Sequence, residues 1–229
     1  MDKIKKVKSI SIWIFIIPFI TINTCLFIST HYTELFKDGQ AIYSKFIPYF
    51  DGGASISRTA RYFPNYLIFK PAMFLTSYLL IKYWTYNKDI ILSFNQNAKH
   101  VKKIFFFGIC SAVCLFLHSL FLGIKFDYTL YKIFRKLIML SFIIFEVVAQ
   151  TYLVLILYSI KNHIKDYIKP TILKIKLILV ITLITVAIIC IPIVSMPGNK
   201  YFKHALEWDY FLGVISFYLL TFLMWKKNK

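Results

Sequence analysis

The sequence is poor in glycine, proline and charge, and few of its charged residues are acidic. Its 229 residues include 7 Gly and 7 Pro, and only 17% are charged. Disordered and fibrous chains are rich in Pro or Gly, and soluble domains are usually about one quarter charged. Asp and Glu number 10 against 28 Lys and Arg, which leaves a net charge of +18. These shortages exclude a disordered or collagen-like chain and do not fit an ordinary soluble domain.

Cysteine and histidine are too few and too scattered for the usual metal or disulfide patterns. No second Cys or His pair with zinc spacing accompanies the one cysteine pair at i,i+4. The chain also has no nucleotide-binding glycine loop, nucleophile elbow or HExxH helix. We therefore expect no catalytic residues, metal or cofactor, and we expect the cysteines to behave as small hydrophobes within apolar blocks. They are Cys25, Cys110, Cys114 and Cys190.

Long apolar blocks, separated by lysine-rich stretches, dominate the chain. Hydrophobic residues make up 59% and aromatic residues 19%. A membrane-spanning helix needs roughly 20 mostly apolar residues, because its backbone polar groups must be satisfied within the segment. The pattern predicts an all-α polytopic membrane protein, a single domain over 1–229 with six transmembrane helices in an antiparallel bundle. The spans are predicted at about 10–30, 66–81, 104–124, 137–158, 177–194 and 211–225, with the short second and sixth extending into their flanks.

Basic residues are unevenly distributed between the two sets of loops. The segments that include both termini carry 17 Lys or Arg in 53 positions, against 11 in 66 for the alternate set. Because Lys and Arg favour the cytoplasm, both termini are predicted to be cytoplasmic. The first apolar block is too long for a signal peptide and is interpreted as a retained span. A partly embedded segment at 126–134 is an alternative for the second outer loop.

The cytoplasmic lysines have two interpretations. They set the orientation and lie against an anionic leaflet, where each nearby cation contributes about 1 kcal/mol. Alternatively, 98–103 or 161–176 forms a polyphosphoinositide site. We expect membrane lipids as partners, anionic headgroups among them, and a protein partner on the cytoplasmic loops. A nucleic-acid partner is not expected, because the charge flanks the spans.

The first outer loop carries the most informative polar residues. The Asp-Gly-Gly sequence at 51–53 is a turn signal. Ser55 or Ser57 is expected to cap a short helix with Arg58 and Arg61 on one face. All three arginines of the chain lie on the outer side, and the planar guanidinium suits carboxylate or phosphate recognition. Arg58 and Arg61 have two interpretations. They pair with nearby acids, or they bind the phosphate of a lipid headgroup.

The last outer loop supplies possible partners for these arginines. His204 and Glu207 share a helix face, and Trp208 is expected to be an interfacial anchor. The two outer loops carry complementary charges, so we expect them to dock on each other. The headgroup-binding candidates are Asp51, Ser55, Ser57, Arg58, Arg61, His204 and Glu207, and Asp209 is a further acid for pairing.

Few ionisable residues lie within the predicted spans. Glu146 has Gln150 one turn later on the same face, and His118 lies in the preceding span. A carboxylate in hydrocarbon is costly and suggests a functional or inward-facing position. Gln150, His118, Ser111 and Ser141 are its candidate partners. The alternatives are a neutral Glu that fixes helix packing, a proton- or substrate-handling residue, and a Glu near a hydrated interface.

Four short motifs fall at comparable places along a known type of chain. They are Pro-Tyr-Phe-Asp-Gly-Gly at 48–53, Ile-Phe-Lys-Pro-Ala-Met at 68–73, His204 with Glu-Trp at 207–208, and Leu-Thr-Phe at 220–222. In this the chain resembles the six-span family of the damage-regulated autophagy modulators (DRAM), the Sfk-type phosphoinositide-pathway proteins and the FGF-receptor-activating, or post-GPI-attachment, proteins.

The resemblance implies a non-enzymatic multi-pass protein of the plasma membrane or of an endomembrane such as the lysosome, Golgi or ER. Its expected role is lipid organisation, autophagy-related trafficking or membrane recruitment of a lipid-signalling partner. A lipid-remodelling factor or enzyme acting on outer-leaflet or lumenal headgroups is the first alternative, with Asp51, His204 or Glu207 as acid or base. A small transporter using Glu146, Gln150 and His118 is the second.

Overall fold

The computed structural model describes residues 2–37, 40, 47–96, 98–124 and 128–226. The regular structure of this part of the chain is helical, apart from one isolated β-bridge between Ile168 and Trp225. Its helices are α1 Asp2–His31, α2 Pro48–Asp51, α3 Ile56–Ala60, α4 Asn65–Phe94, α5 Val101–Phe121, α6 Thr129–Ser159, α7 Lys161–Ile164, α8 Pro170–Ser195 and α9 Lys200–Met224, with a 3-10 turn at Thr33–Leu35.

Five of these helices are long and apolar enough to cross a membrane, namely α1, α5, α6, α8 and α9. The predicted all-α membrane protein is thereby confirmed at this coarser level. Helix α4 has 30 residues, as many as α1. It contains more polar residues, however, and is not apolar enough to be counted with these five. The sixth span and the orientation of the termini stay predictions.

The long helices extend well beyond the predicted spans. Helix α4 continues to Phe94 instead of ending near residue 81, α6 begins at Thr129 instead of near 137, and α8 begins at Pro170 instead of near 177. The apolar blocks mark the hydrocarbon-compatible core of each helix. Backbone hydrogen bonding continues through the turns on either side, which carry Tyr and Lys. The apolar blocks alone therefore predict helices that are too short.

The six long helices form a closed ring in which each packs against the next along the chain and α9 returns to α1. Side-chain contacts at both ends establish that α1 and α4 are antiparallel. Asn65 Nδ2, at the start of α4, donates to the Cys25 carbonyl near the end of α1 (2.7 Å). At the opposite ends, Lys3 Nζ and Asp89 Oδ2 form an ion pair at 2.9 Å.

The two ends of the bundle differ in what covers them. The loop end carries α2 and α3 together with the connections at 122–124 and 196–199. The terminal end carries the beginning of α1, α7 and the end of α9, and there the Lys169 N–H donates to the Met224 carbonyl (2.8 Å).

Aromatic residues fill the centre of the bundle, whereas aliphatic residues cover its outside. Trp84 and Tyr83 of α4 are fully buried, and a Cβ at Gly108 of α5 would lie 2.3 Å from the Trp84 ring. Glycine at 108 therefore lets α4 and α5 approach closely. By contrast, Ile178 and Ile188 of α8 are more than 60% exposed. Such an apolar exterior is expected where lipid replaces water as the solvent.

Candidate functional site

A compact cap, residues 47–64, covers part of the loop end; we call it the loop cap. Its first turn is closed by Asp51, whose carboxylate accepts hydrogen bonds from the backbone N–H of Ile47 (2.8 Å) and of Gly53 (3.1 Å). Gly52 ends α2 with a φ of +62°, in the left-handed region that favours glycine. The predicted turn at 51–53 is confirmed, and Asp51 is used to build it.

The loop cap docks on the first turns of α9. His204 Nδ1 is hydrogen-bonded to the Gly52 carbonyl (3.0 Å), and Trp208 Nε1 donates to the Ala54 carbonyl (2.9 Å). The Tyr49 and Trp208 rings meet edge to face at 5.2 Å. Trp208 is fully buried, so the expectation that it is an interfacial anchor was wrong, because the loop cap covers it. The docking of the last outer loop on the first is confirmed.

Tyr49 couples the loop cap to α1 as well. Its hydroxyl donates to Asn23 Oδ1 at 3.3 Å. Burial raises the pKa of the Tyr49 phenol, and the hydrogen bond to Asn23 partly offsets that rise. The phenol is therefore a neutral hydrogen-bond donor at physiological pH.

The serines and arginines of α3 have distinct roles. Ser55 is the N-cap, accepting from the Arg58 N–H at 3.3 Å, which confirms the first of the two predicted caps. Ser57 instead accepts at Oγ from Arg61 Nη2 (2.8 Å), while its carbonyl accepts from Arg61 Nε (3.0 Å). Glu207 of α9 lies against the backbone N–H groups at 56–57 and within electrostatic reach of Arg61.

None of the three arginines forms an ion pair within the described part of the chain. The ion pairs found there are Lys3–Asp89 and Lys6–Asp2, both at the terminal end. The predicted pairing of Arg58 and Arg61 with Asp51, Glu207 or Asp209 is therefore not formed as direct salt bridges. Asp51 and Glu207 turn their carboxylates to backbone N–H groups instead.

His118 lies with arginines and not with Glu146. Arg61 and Arg135 both exert an electrostatic effect on His118, and Arg61 acts on Arg135 as well. His118 Nδ1 and Arg135 Nε are buried without a hydrogen-bond partner. We call Arg61, His118 and Arg135 the cationic cluster, whose positive charge comes from its two arginines. It lies where α3, the end of α5 and the start of α6 meet, and Arg135 was missed as a candidate because its partners come from two distant segments.

Glu146 lies at the centre of a fully buried polar group. Its carboxyl accepts from Ser111 Oγ (2.6 Å), from Gln150 Nε2 (3.0 Å) and from the Tyr218 hydroxyl. The expected partners Gln150 and Ser111 are thus confirmed, whereas His118 and Ser141 make no hydrogen bond to it. Tyr218 was missed, since nothing in one sequence places α9 against α6.

Lys176 is a second buried ionisable residue. The prediction placed it in a cytoplasmic loop, but it lies inside α8 with 0% exposure. Its ammonium donates to Thr221 Oγ1 (2.7 Å) and lies 3.8 Å from the centre of the Phe217 ring. Tyr83 shares the same Thr221 hydroxyl at 3.1 Å. Lys176 was missed because a single lysine beside a loop is usually a surface residue.

The terminal end carries a shallow basic groove beside the start of α5. Lys88, His100, Lys102 and Lys103 contribute to its lining. Lys88 Nζ lies 4.4 Å from the centre of the Phe105 ring. The residues predicted as one alternative phosphoinositide site, 98–103, thus lie partly in a groove, although aromatic rings already contact some of their ammonium groups.

The chain was compared with known proteins in three ways. No family model, curated protein or solved structure matches the chain. The resemblance to the DRAM-type family therefore stays a hypothesis.

The geometry disfavours chemistry at the predicted residues. Asp51, His204 and Glu207 are turned toward backbone groups of the loop cap and do not converge on a shared groove. Glu146 and Gln150 hold α5, α6 and α9 together and lie in a packed interior. Both sets are engaged in contacts within the protein. What the loop end does present is a set of arginines that have no direct carboxylate partner among the described residues.

Proposed function

We propose that this chain is a six-span membrane protein that binds lipid headgroups at its loop end and acts in lipid organisation without catalysing a reaction. The observation that carries the proposal is the position of Arg58, Arg61 and Arg135. All three are at the loop end, and none has a direct salt bridge within the described residues. Exposed aromatic residues lie beside them, with Phe50 at 86% and Phe63 at 56% exposure. Arginine beside exposed aromatic rings suits the headgroup level of a bilayer.

Helix α4 is the proposed sixth span. Its polar residues Thr76, Ser77 and Asn87 are buried, and each donates a hydrogen bond to a carbonyl of its own helix. A helix whose polar side faces the bundle needs apolar residues only on its lipid side. This explains how α4 can cross the membrane although its composition is less apolar than that of its neighbours.

The proposed orientation places both termini in the cytoplasm. Lys176 is buried and no longer counts as a loop cation, yet sixteen basic residues remain in the terminal-end segments of the sequence. Their density still exceeds that of the loop-end segments, as positive-inside orientation requires. The loop end then faces the lumen or the cell exterior. We place the protein in the plasma membrane or an endomembrane such as the lysosome, Golgi or ER.

The resemblance to the DRAM-type family adds a biological setting to this proposal. It favours a role in autophagy-related trafficking or in recruiting a lipid-signalling partner to the membrane. In this setting the terminal-end lysines would contact the cytoplasmic partner while the loop end binds lipid. The sequence motifs at 48–53, 68–73, 204–208 and 220–222 support this setting.

Native mass spectrometry combined with lipid analysis tests the proposed function. The protein is purified in mild detergent as wild type, as Arg58→Gln/Arg61→Gln, and as the control Lys102→Gln/Lys103→Gln. The control removes the same charge from the terminal end. We expect wild type and control to retain a phospholipid that the arginine variant loses. Equal, non-selective retention by all three proteins would overturn headgroup binding at the loop end.

A further inference from the structure

We propose that the cationic cluster of Arg61, His118 and Arg135 binds the phosphate of an anionic phospholipid. This inference rests on the proposed function and goes further, since it names the ligand chemistry and adds two residues from helices outside the loop cap. The three side chains come from α3–α4, α5 and α6 and act on one another electrostatically. They are brought together by the fold and not by sequence proximity.

The positive charge of the two arginines is not balanced by a salt bridge within the described residues. Like charges held close together destabilise a folded protein unless an anion lies between them. In that part of the chain Arg135 has no acid in salt-bridge range, and Glu207 acts on Arg61 without forming a salt bridge. An anionic ligand between the two arginines would supply the negative charge.

Two buried nitrogens of the cluster lack hydrogen-bond partners among the described residues. Arg135 Nε and His118 Nδ1 are both buried and have no hydrogen-bond partner. Buried polar groups are nearly always hydrogen-bonded in folded proteins, and a guanidinium nitrogen acts only as a donor. A phosphate offers several acceptor oxygens, and the flat guanidinium matches them in geometry. One phosphate between Arg61 and Arg135 would satisfy these groups together.

Neighbouring groups hold the cluster in place. The Arg135 guanidinium lies over the Tyr131 ring, 5.8 Å from its centre. Arg61 is fixed by its two hydrogen bonds to Ser57. The α5–α6 connection packs on Arg61, since a Cβ at Gly123 would lie 2.8 Å from the Arg61 carbonyl oxygen. Preorganised donors bind an anion without the entropic cost of ordering long side chains.

A lipid is favoured over a free phosphate by the apolar surface at the same end of α6. Large apolar side chains at i, i+3 and i+7 spacing form a stripe on the helix face opposite Arg135, and all are about half exposed or more: Leu130, Ile133, Leu137, Leu140 and Ile144. Phe134, the chain neighbour of Arg135, is 43% exposed and contacts Phe121 at the end of α5. An acyl chain lying along α6 would place its phosphate near the first turns of the helix, where Arg135 lies.

Defined lipids test the inference with a matched pair of variants. Full-length wild type, Arg135→Gln and Lys136→Gln are titrated in detergent with phosphatidic acid and with phosphatidylcholine. Lys136 is the exposed basic neighbour of Arg135, so its variant removes the same charge. Native mass spectrometry measures the lipid bound. We expect phosphatidic acid to bind wild type and Lys136→Gln alike and Arg135→Gln about tenfold more weakly, as for one lost charge-assisted hydrogen bond.

A thermal readout separates binding from folding. Without lipid, Arg135→Gln should unfold at the same or a higher temperature than wild type, because it removes an uncompensated cation. With phosphatidic acid, wild type should gain stability and Arg135→Gln should not. A lower midpoint without lipid, and an unchanged response to lipid, would mean that Arg135 is a structural residue. Arg135→Lys, which keeps the charge, should restore part of the lipid response.

The remaining outcomes distinguish this inference from the proposed function. If wild type binds phosphatidic acid selectively but Arg135→Gln binds it equally well, headgroup binding stands and the cationic cluster is the wrong site. If wild type does not discriminate phosphatidic acid from phosphatidylcholine, selectivity for an anionic headgroup fails, and the inference is overturned. Binding of neither lipid would contradict the proposed function itself. An equal stabilisation by soluble glycerol 3-phosphate would show that no acyl chain is needed and would overturn the lipid ligand.

Discussion

The backbone of Gly52 lies directly against that of Tyr201, so that a Cβ on Gly52 would lie 1.8 Å from the Tyr201 carbonyl oxygen. No side chain fits there, and the φ of +62° also favours glycine. This contact joins the loop cap to α9, next to the hydrogen bond between His204 and the Gly52 carbonyl. The fixed position of the loop cap, and hence of Arg61, depends on it.

Replacement of Gly52 by alanine is expected to separate the loop cap from α9. The left-handed φ costs about 1–2 kcal/mol for a residue with a Cβ. The steric clash adds about 1–3 kcal/mol. Thermal unfolding in detergent measures the loss of stability. Gly198→Ala is the control, because Gly198 also has a positive φ (+90°) but has nothing within 4 Å of its Cβ position. Equal loss in both variants would mean that backbone strain alone matters and that the contact with Tyr201 does not.

Removal of the Tyr218 hydroxyl is expected to destabilise the bundle through Glu146. The Tyr218→Phe variant leaves a buried carboxyl with one donor fewer, which costs about 1–3 kcal/mol. Tyr210→Phe, two turns earlier on α9, removes a hydroxyl outside this group and should change the unfolding midpoint much less. Equal midpoints for the two variants would show that the hydrogen bond contributes nothing to stability.

Lys176 is expected to behave as an interior residue. In the native protein an amine-reactive label should modify the exposed Lys174 of the same helix but leave Lys176 unmodified until the protein is denatured. Mass spectrometry of the peptides gives the labelled fraction at each of the two lysines. Rapid native labelling of both would place Lys176 at the surface, as the sequence pattern first suggested.

The energetic role of Lys176 is tested separately. An apolar residue of similar length avoids the desolvation cost of a buried amine, so Lys176→Met should unfold at or above the wild-type temperature. Thr221→Val removes the hydroxyl to which Lys176 and Tyr83 are hydrogen-bonded, and it should destabilise. It should destabilise less when combined with Lys176→Met. Strong destabilisation by Lys176→Met would instead show that the ammonium is needed for folding.

The proposed sixth span has a direct test in microsomes. Glycosylation acceptor sites are inserted separately after Gln96 and after Gly198. With six spans and a cytoplasmic N-terminus, the site after Gly198 is modified and the site after Gln96 is not. If α4 does not span, every later segment changes sides, and the pattern is reversed.

Local sequence patterns predicted the features that depend on neighbouring residues. The apolar blocks located the long helices, Asp-Gly-Gly at 51–53 predicted the turn, and Ser55 was one of two proposed caps. The i,i+4 spacing of Glu146 and Gln150 correctly paired them. In each of these cases the interacting groups lie within one or two helical turns of each other.

Features that depend on which helices are neighbours were not predictable in the same way. Lys176 and Trp208 were assigned to a loop and to a membrane interface, because lysine near a loop and tryptophan near a span end usually lie there. Their burial follows from the packing of α8 on α9 and from the loop cap over α9. Arg135 joins the cationic cluster only when α6 lies beside α5 and α3.

Photochemical crosslinking tests the central claim of headgroup binding at the loop end most directly. Reconstituted full-length protein is illuminated with a phosphatidic acid that carries a diazirine near the glycerol end of one acyl chain, and crosslinked peptides are identified by mass spectrometry. The account predicts crosslinks in α3, at the end of α5 and in the first turns of α6, reduced in Arg135→Gln and unchanged in Lys136→Gln. Crosslinks concentrated in the basic groove around 98–103, or spread evenly over the lipid-facing helices, would contradict it.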